Sequence, residues 1–166
     1  MREKILFLVF IIAAMLVSSC TTKEYSKEYA VKLVQDHANA WKTSDLELLD
    51  SVLHEDVVFA YPGRRLNKNQ TLEDLIYFRE HFSDTEVYIN RIIVDGSDVA
   101  VEWQFATTEI ATGKRQVVSD GIIGELKDGK FIVWKEYLDG RVKTMQANGE
   151  LAYEEGEEPF PWPNRI

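Results

Sequence analysis

The stretch KRQVVSDGIIGELKDGKFIVWKEYLDG, from Lys114 to Gly140, decides the fold. Its two arms alternate with the period of a β-strand, and Lys127-Asp128-Gly129 separates them. In the first arm Val118, Asp120, Ile122 and Leu126 share a face; in the second Ile132, Trp134, Glu136 and Leu138 do. Each arm therefore places one acid where the alternation asks for an apolar residue. A three-residue loop with Gly129 in the left-handed position pairs Leu126 with Lys130, and counting back sets Asp120 opposite Glu136. Facing carboxylates are unfavourable, so such a pair must share a proton, recruit a cation or face water. Asp120 and Glu136 are accordingly the candidate catalytic residues.

Working outward, Thr112-Gly113-Lys114 turns into this hairpin from a strand in which Val99, Val101, Trp103 and Phe105 make an apolar face. Asp95-Gly96-Ser97-Asp98 joins that strand to an earlier one, Glu86 to Val94. On that earlier strand Val87, Ile89, Arg91 and Ile93 share parity, which makes Arg91 a candidate counter-ion for the acids. Further upstream, Tyr29, Leu33, His37, Ala40 and Trp41 recur at helical spacing. Ser44-Asp45-Leu46-Glu47 reads as a capping box opening a second helix, with Leu46, Leu49, Val52 and Leu53 inward. Val57 to Tyr61 reads as a short strand stopped by Pro62-Gly63, and a basic loop follows at Arg64, Arg65 and Lys68. A third helix is expected from about Thr71 to Phe82. Early helices followed by long meandering strands predict an α+β domain, a curved antiparallel sheet covered by three helices. A hollow between the layers is a natural ligand site. Its expected lining is His37, Trp41, Tyr61, Arg91, Trp103 and Trp134.

The first 19 residues read as a signal peptide: Arg2 and Lys4, an apolar run from Ile5 to Val17, and small residues before Cys20. That run is shorter than the roughly 20 residues of a spanning helix. Val17-Ser18-Ser19-Cys20 resembles the bacterial lipobox, which implies an acylated Cys20 and a membrane-anchored protein of the cell envelope. Residues 20–26 would then be the acylated cysteine and its tether, 27–149 the domain, and 150–166 an acidic, Pro-aromatic tail. A formal net charge of -9 argues against non-specific nucleic-acid binding. The three histidines and single cysteine have no metal-ligand spacing, so neither a metal nor a cofactor is expected.

Three segments, HANAWKTSDLELLDSVLHEDVVFAYPG, IIVDGSDVAVEW and DGKFIVWKEYLDG, together resemble the SnoaL-like branch of the nuclear transport factor 2-like superfamily. The resemblance spans about Tyr25 to Gly140. It implies a cone-shaped fold, a deep apolar pocket and a possible homodimer packed through the sheet. Glu136 matches the acid of a Trp-Arg-Asp-Tyr segment in the epoxide-hydrolase branch, where a pocket carboxylate takes part in acid-base chemistry. That branch's Arg-x-Asp pair has no match between Val99 and Phe105, and only Phe59 and Tyr61 stand near its Tyr-x-Asn pair. The incomplete set favours a pocket that binds a small, largely apolar molecule without turnover. The alternatives are an isomerase, cyclase or hydrolase using Asp120 and Glu136, with Tyr61 or His37 as donor, and an envelope interaction module.

Overall fold

The computed structural model describes residues 24–138, 140–150 and Glu158. The signal peptide, Cys20 and nearly all of the tail lie outside the described residues. Helix α1 (Lys27–Thr43) and helix α2 (Leu46–Val52) are followed by strand β1 (Leu53–Tyr61) and the short β2 (Arg64–Leu66). Helix α3 (Lys68–His81) leads into β3 (Phe82–Asp95), β4 (Asp98–Glu109), β5 (Arg115–Lys127) and β6 (Lys130–Leu138), and α4 (Arg141–Ala147) closes the described domain. The strands form one curved sheet in the order β2-β1-β6-β5-β4-β3. All neighbours run antiparallel except β1 and β6, whose parallel pairing makes the sheet mixed rather than wholly antiparallel. The α+β expectation holds, with a fourth helix added.

Local chemistry explains the boundaries. Ser26 caps α1, its hydroxyl accepting from the Tyr29 amide at 3.2 Å. Ser44 does not cap α2 as expected; it ends α1 in the left-handed conformation (φ 54°), and Asp45 is the cap, accepting from the Leu48 amide at 2.9 Å. Helix α3 starts a turn earlier than expected because Asn67 and Gln70 form a reciprocal capping box, each bond 3.0 Å long. Lys68 thereby leaves the basic loop and is buried in the first turn, 2.8 Å from Asp50.

The inner face of the sheet packs against α1 to α3 through Phe59, Trp103, Ile122, Phe131 and Trp134, each at most 1% exposed. Every such large side chain contributes about 1.5–3 kcal/mol by leaving water. Helix α4 lies against the start of β5, beyond the end of β6. There the β6 ladder has ended, and the Gln146 side chain takes over both free backbone groups of Val117, at 3.1 and 3.0 Å. Among the described residues no helix is long and apolar enough to cross a membrane.

The β5–β6 hairpin differs from its expected register. Lys127 pairs with Lys130 around a two-residue loop in which Asp128 (φ 50°) and Gly129 (φ 80°) are both left-handed. Such a loop alone would turn Glu136 outward. A bulge compensates: Leu126 faces Phe131 while Glu125 faces Val133, so β6 carries one extra residue and the later side chains change faces. Glu136 therefore returns to the inner face, opposite Ile122, and Asp120 stands opposite Leu138. The acids are diagonal neighbours rather than a facing pair, which relieves the conflict the alternation implied.

Candidate functional site

A cavity of about 760 Å³ lies between the inner sheet face and helices α1 and α3. Its apolar walls come from Trp41 on α1, Phe59 on β1, Phe78 on α3, and Trp103 and Phe105 on β4. Exposed Arg64, Glu73 and Tyr77 also line it and form its lip. Both hairpin acids line it as well, Asp120 from β5 and Glu136 from β6.

Asp120 is 5% exposed and held at both oxygens. Trp103, its direct partner across the ladder, donates its indole N–H to Oδ2 at 3.3 Å, and the Tyr137 amide donates to Oδ1 at 3.0 Å. Glu136 accepts from the Trp134 indole at 2.9 Å. Tyr61 donates its hydroxyl to Asp74 at 2.8 Å, and the Arg64 guanidinium stands 3.8 Å from that carboxylate and 6.0 Å from the Tyr61 ring centre. Burial, followed by the hydrogen bond to Asp74, pushes the Tyr61 phenol up to about 12. It is a neutral donor at physiological pH.

The structure brings Trp41, Tyr61, Trp103, Asp120 and Glu136 onto one cavity. His37 and Trp134 do not line it. They are fully buried behind its wall, ring centres 4.0 Å apart, with Phe59 and Trp103 stacked on the histidine. Neither His37 nitrogen has a hydrogen-bond partner, and burial lowers its pKa to about 3. A donor role in the cavity does not fit that position. Arg91 is excluded more simply. A bulge in β3 between Ile89 and Arg91 reverses the alternation, so Ile92 and Val94 pack inward while Arg91 is exposed.

Helix α3 supplies five lining residues that the expected set lacks, Gln70, Glu73, Asp74, Tyr77 and Phe78. Their spacing of three and four residues marks one helical face, a legible signal. The apolar residues Leu72, Leu75 and Ile76 lie on the other side of the helix, and only Leu75 among them is fully buried. Among the described residues no cluster of three or more His, Cys, Asp or Glu side chains is arranged to hold a metal.

A curved sheet and helices enclosing an aromatic hollow with a few placed carboxylates define a cone-shaped α+β pocket protein. The SnoaL-like domain family matches residues 34–134, and the chain belongs to that family. Comparison with curated proteins gave no match. Among solved structures, an LEH-like epoxide hydrolase from M. tuberculosis is similar, with 25% identity, a TM-score of 0.64, and coverage of 72% of this chain and 89% of that one. TsrD from Streptomyces laurentii shares 18% identity at a TM-score of 0.66, over 77% of this chain and 100% of that one. IdmH from Streptomyces antibioticus, a proposed polyketide cyclase, shares 18% identity at a TM-score of 0.63, over 71% and 97%. The likeness to the last two is one of fold.

Proposed function

We propose that this chain is a ligand-binding member of the SnoaL-like family, anchored at the bacterial envelope through an acylated Cys20. Its cavity takes a small molecule with a largely apolar body and releases it unchanged. The observation that carries this reading is the cavity itself, about 760 Å³ in volume and walled by aromatic rings. That volume lies within the usual range for small-molecule sites, roughly 300–1,000 Å³. The groups that acid-base chemistry would use are built into the wall. Tyr61 is bonded to Asp74, Asp120 is held by Trp103 and Tyr137, and Glu136 accepts from Trp134. Polar groups fixed in this way orient a ligand.

The test uses the full-length chain with naphthalene as an apolar probe, followed by the emission of Trp41 and Trp103. Saturable binding is expected, and Leu138→Trp, which adds bulk to the lining, should abolish it. A response that never saturates, or one that Leu138→Trp leaves intact, defeats the reading. For the anchor, radiolabelled palmitate should enter the wild type and not Cys20→Ala; labelling of both removes the lipoprotein assignment.

An acid-base enzyme is the second reading. The specific observation in its favour is that two carboxylates, Asp120 and Glu136, line one cavity as diagonal neighbours on adjacent strands. The similarity to an epoxide hydrolase at 25% identity adds to it. Turnover in an epoxide screen that disappears in Asp120→Asn would replace the binding reading with this one.

A further inference from the structure

We propose that the cavity opens away from the membrane that holds the anchor, so that its ligand is a water-borne small molecule rather than a lipid drawn from the bilayer. The inference rests on the proposed acylation of Cys20 and on the binding reading, and it names the ligand class of that site. It is carried by the end of the sheet that lines the cavity, by the place where α1 begins, and by the short chain between Cys20 and the domain.

The long strands line the cavity from one end. Strand β3 gives its first residue, Phe82; β5 gives Val118 and Asp120 from its first half; β6 gives Glu136 and Leu138 from its last turn of alternation. At the other end Lys127 pairs with Lys130, and the Leu126 amide donates to the Ser97 carbonyl at 2.8 Å. No described residue of that end belongs to the lining. Helix α1 runs between the two ends. Tyr25 and Tyr29 bond to Gly129 and fix its start at the closed end, whereas Trp41, its one described lining residue, stands in the last turn. Lys27 to Trp41 spans about 21 Å at the helical rise. Asp120 to Lys127 spans about 23 Å at the strand rise. Two independent elements thus set the cavity about 20 Å from the closed end.

Cys20 precedes Tyr25 by five residues, which reach at most about 18 Å when fully extended. An acylated Cys20 therefore holds the closed end at the bilayer and falls short of the cavity end. The lip agrees with that placement. Arg64, Gln70 and Glu73 are exposed on it, and a mouth pressed among acyl chains would strip such groups of water. A lip in solvent keeps them hydrated, and the rings behind it receive the apolar body of the ligand.

The experiment places one bimane label at each end of the full-length chain in phosphatidylcholine vesicles. Lys127→Cys marks the closed end, and Ile110→Cys marks the loop between β4 and β5 at the cavity end; both positions are exposed. Acylation occupies Cys20, the single native cysteine, so each variant carries one reactive thiol. Nitroxide on the lipid headgroups should quench the Lys127→Cys label several-fold more than the Ile110→Cys label. Equal quenching, or stronger quenching of Ile110→Cys, overturns the inference and leaves the anchor and binding readings standing. Protein that does not float with the vesicles overturns the anchor reading, and the inference with it. In parallel, 2-naphthol is dialysed against the vesicle-bound wild type and against Cys20→Ala in lipid-free buffer. Equal affinity at equal free 2-naphthol is expected. Several-fold weaker binding by the vesicle-bound chain means that bilayer lipid competes for the cavity, which overturns the inference alone. Absence of saturable binding by both overturns the binding reading, and the inference with it.

Discussion

At His37 the cost of burying an imidazole is visible in one side chain. It is completely enclosed, four aromatic rings surround it, and its pKa falls to about 3 because burial disfavours the charged form. The unfolded chain, with a value near 6.5, takes up a proton that the folded chain refuses. Stability from this group is therefore fully present above pH 6.5 and is lost as the pH falls from there toward 3. At pH 5 the loss is about 2 kcal/mol. Urea unfolding of the wild type and His37→Leu at pH 5 and pH 7.5 should show a difference between the two pH values that is smaller in the variant by about that amount. An unchanged difference would mean that another group sets the acid sensitivity. The nearby Trp41 indole N–H also has no partner, so these two side chains are held by shape rather than by hydrogen bonds.

At the scale of the element, the β5–β6 hairpin shows how a register is fixed. Tyr25 and Tyr29, stacked at the start of α1, clamp its turn: Tyr29 donates to the Gly129 carbonyl at 2.7 Å, and the Gly129 amide donates to Tyr25 at 3.0 Å. The bulge that returns Glu136 to the cavity also brings the Phe131 ring against Gly124. A Cβ on Gly124 would stand 2.8 Å from Val99 Cγ2 and 3.3 Å from Phe131 Cε1. Gly124→Ala should thus destabilise by about 1–3 kcal/mol through overpacking. Gly121→Ala, three residues earlier with nothing within 4 Å of its new Cβ, serves as the control and should be close to neutral. Equal effects in thermal or urea unfolding would show that backbone freedom, rather than packing, decides both.

One residue of the tail gives an element-scale result of its own. Glu158 accepts from Arg115 at 2.8 and 2.6 Å and from the Tyr88 hydroxyl at 2.7 Å, tying the tail to β3 and β5. Burial and then this hydrogen bond push the Tyr88 phenol up to about 12. In Glu158→Ala the value should move back toward that of an ordinary tyrosine, read by ultraviolet titration of tyrosinate; no movement would mean that Glu158 does not hold the hydroxyl.

For the whole molecule, the outer sheet face between the two outermost long strands is the notable surface. Ile123 and Tyr137 are 48% and 64% exposed there, on adjacent strands. A homodimer packed through the sheet, which the family resemblance implies, is our proposal for what covers it. Ile123→Lys with Tyr137→Lys should shift the sedimenting species from dimer to monomer, and a wild type that sediments as a monomer at micromolar concentration would end that proposal.

Much of this was legible in the chain itself. Alternation in β4, β5 and β6 and the helical spacing of Leu33, His37 and Trp41 follow from local geometry, so the α+β class and the inward direction of Asp120 could be read directly. The lipobox-like ending at Cys20 lies outside the described residues and stays an expectation from the sequence. What only the tertiary structure decided was everything that depends on counting across a bulge. One extra residue in β3 carried Arg91 out to solvent, and one in β6 kept Glu136 inward while separating it from Asp120. A bulge has no fixed signature in the alternation, because it is set by the pairing with a neighbouring strand rather than by the run of residues that carries it. The opening stretch therefore determined that two acids belong to one wall, and the packing around it determined that they stand diagonally within an aromatic cavity.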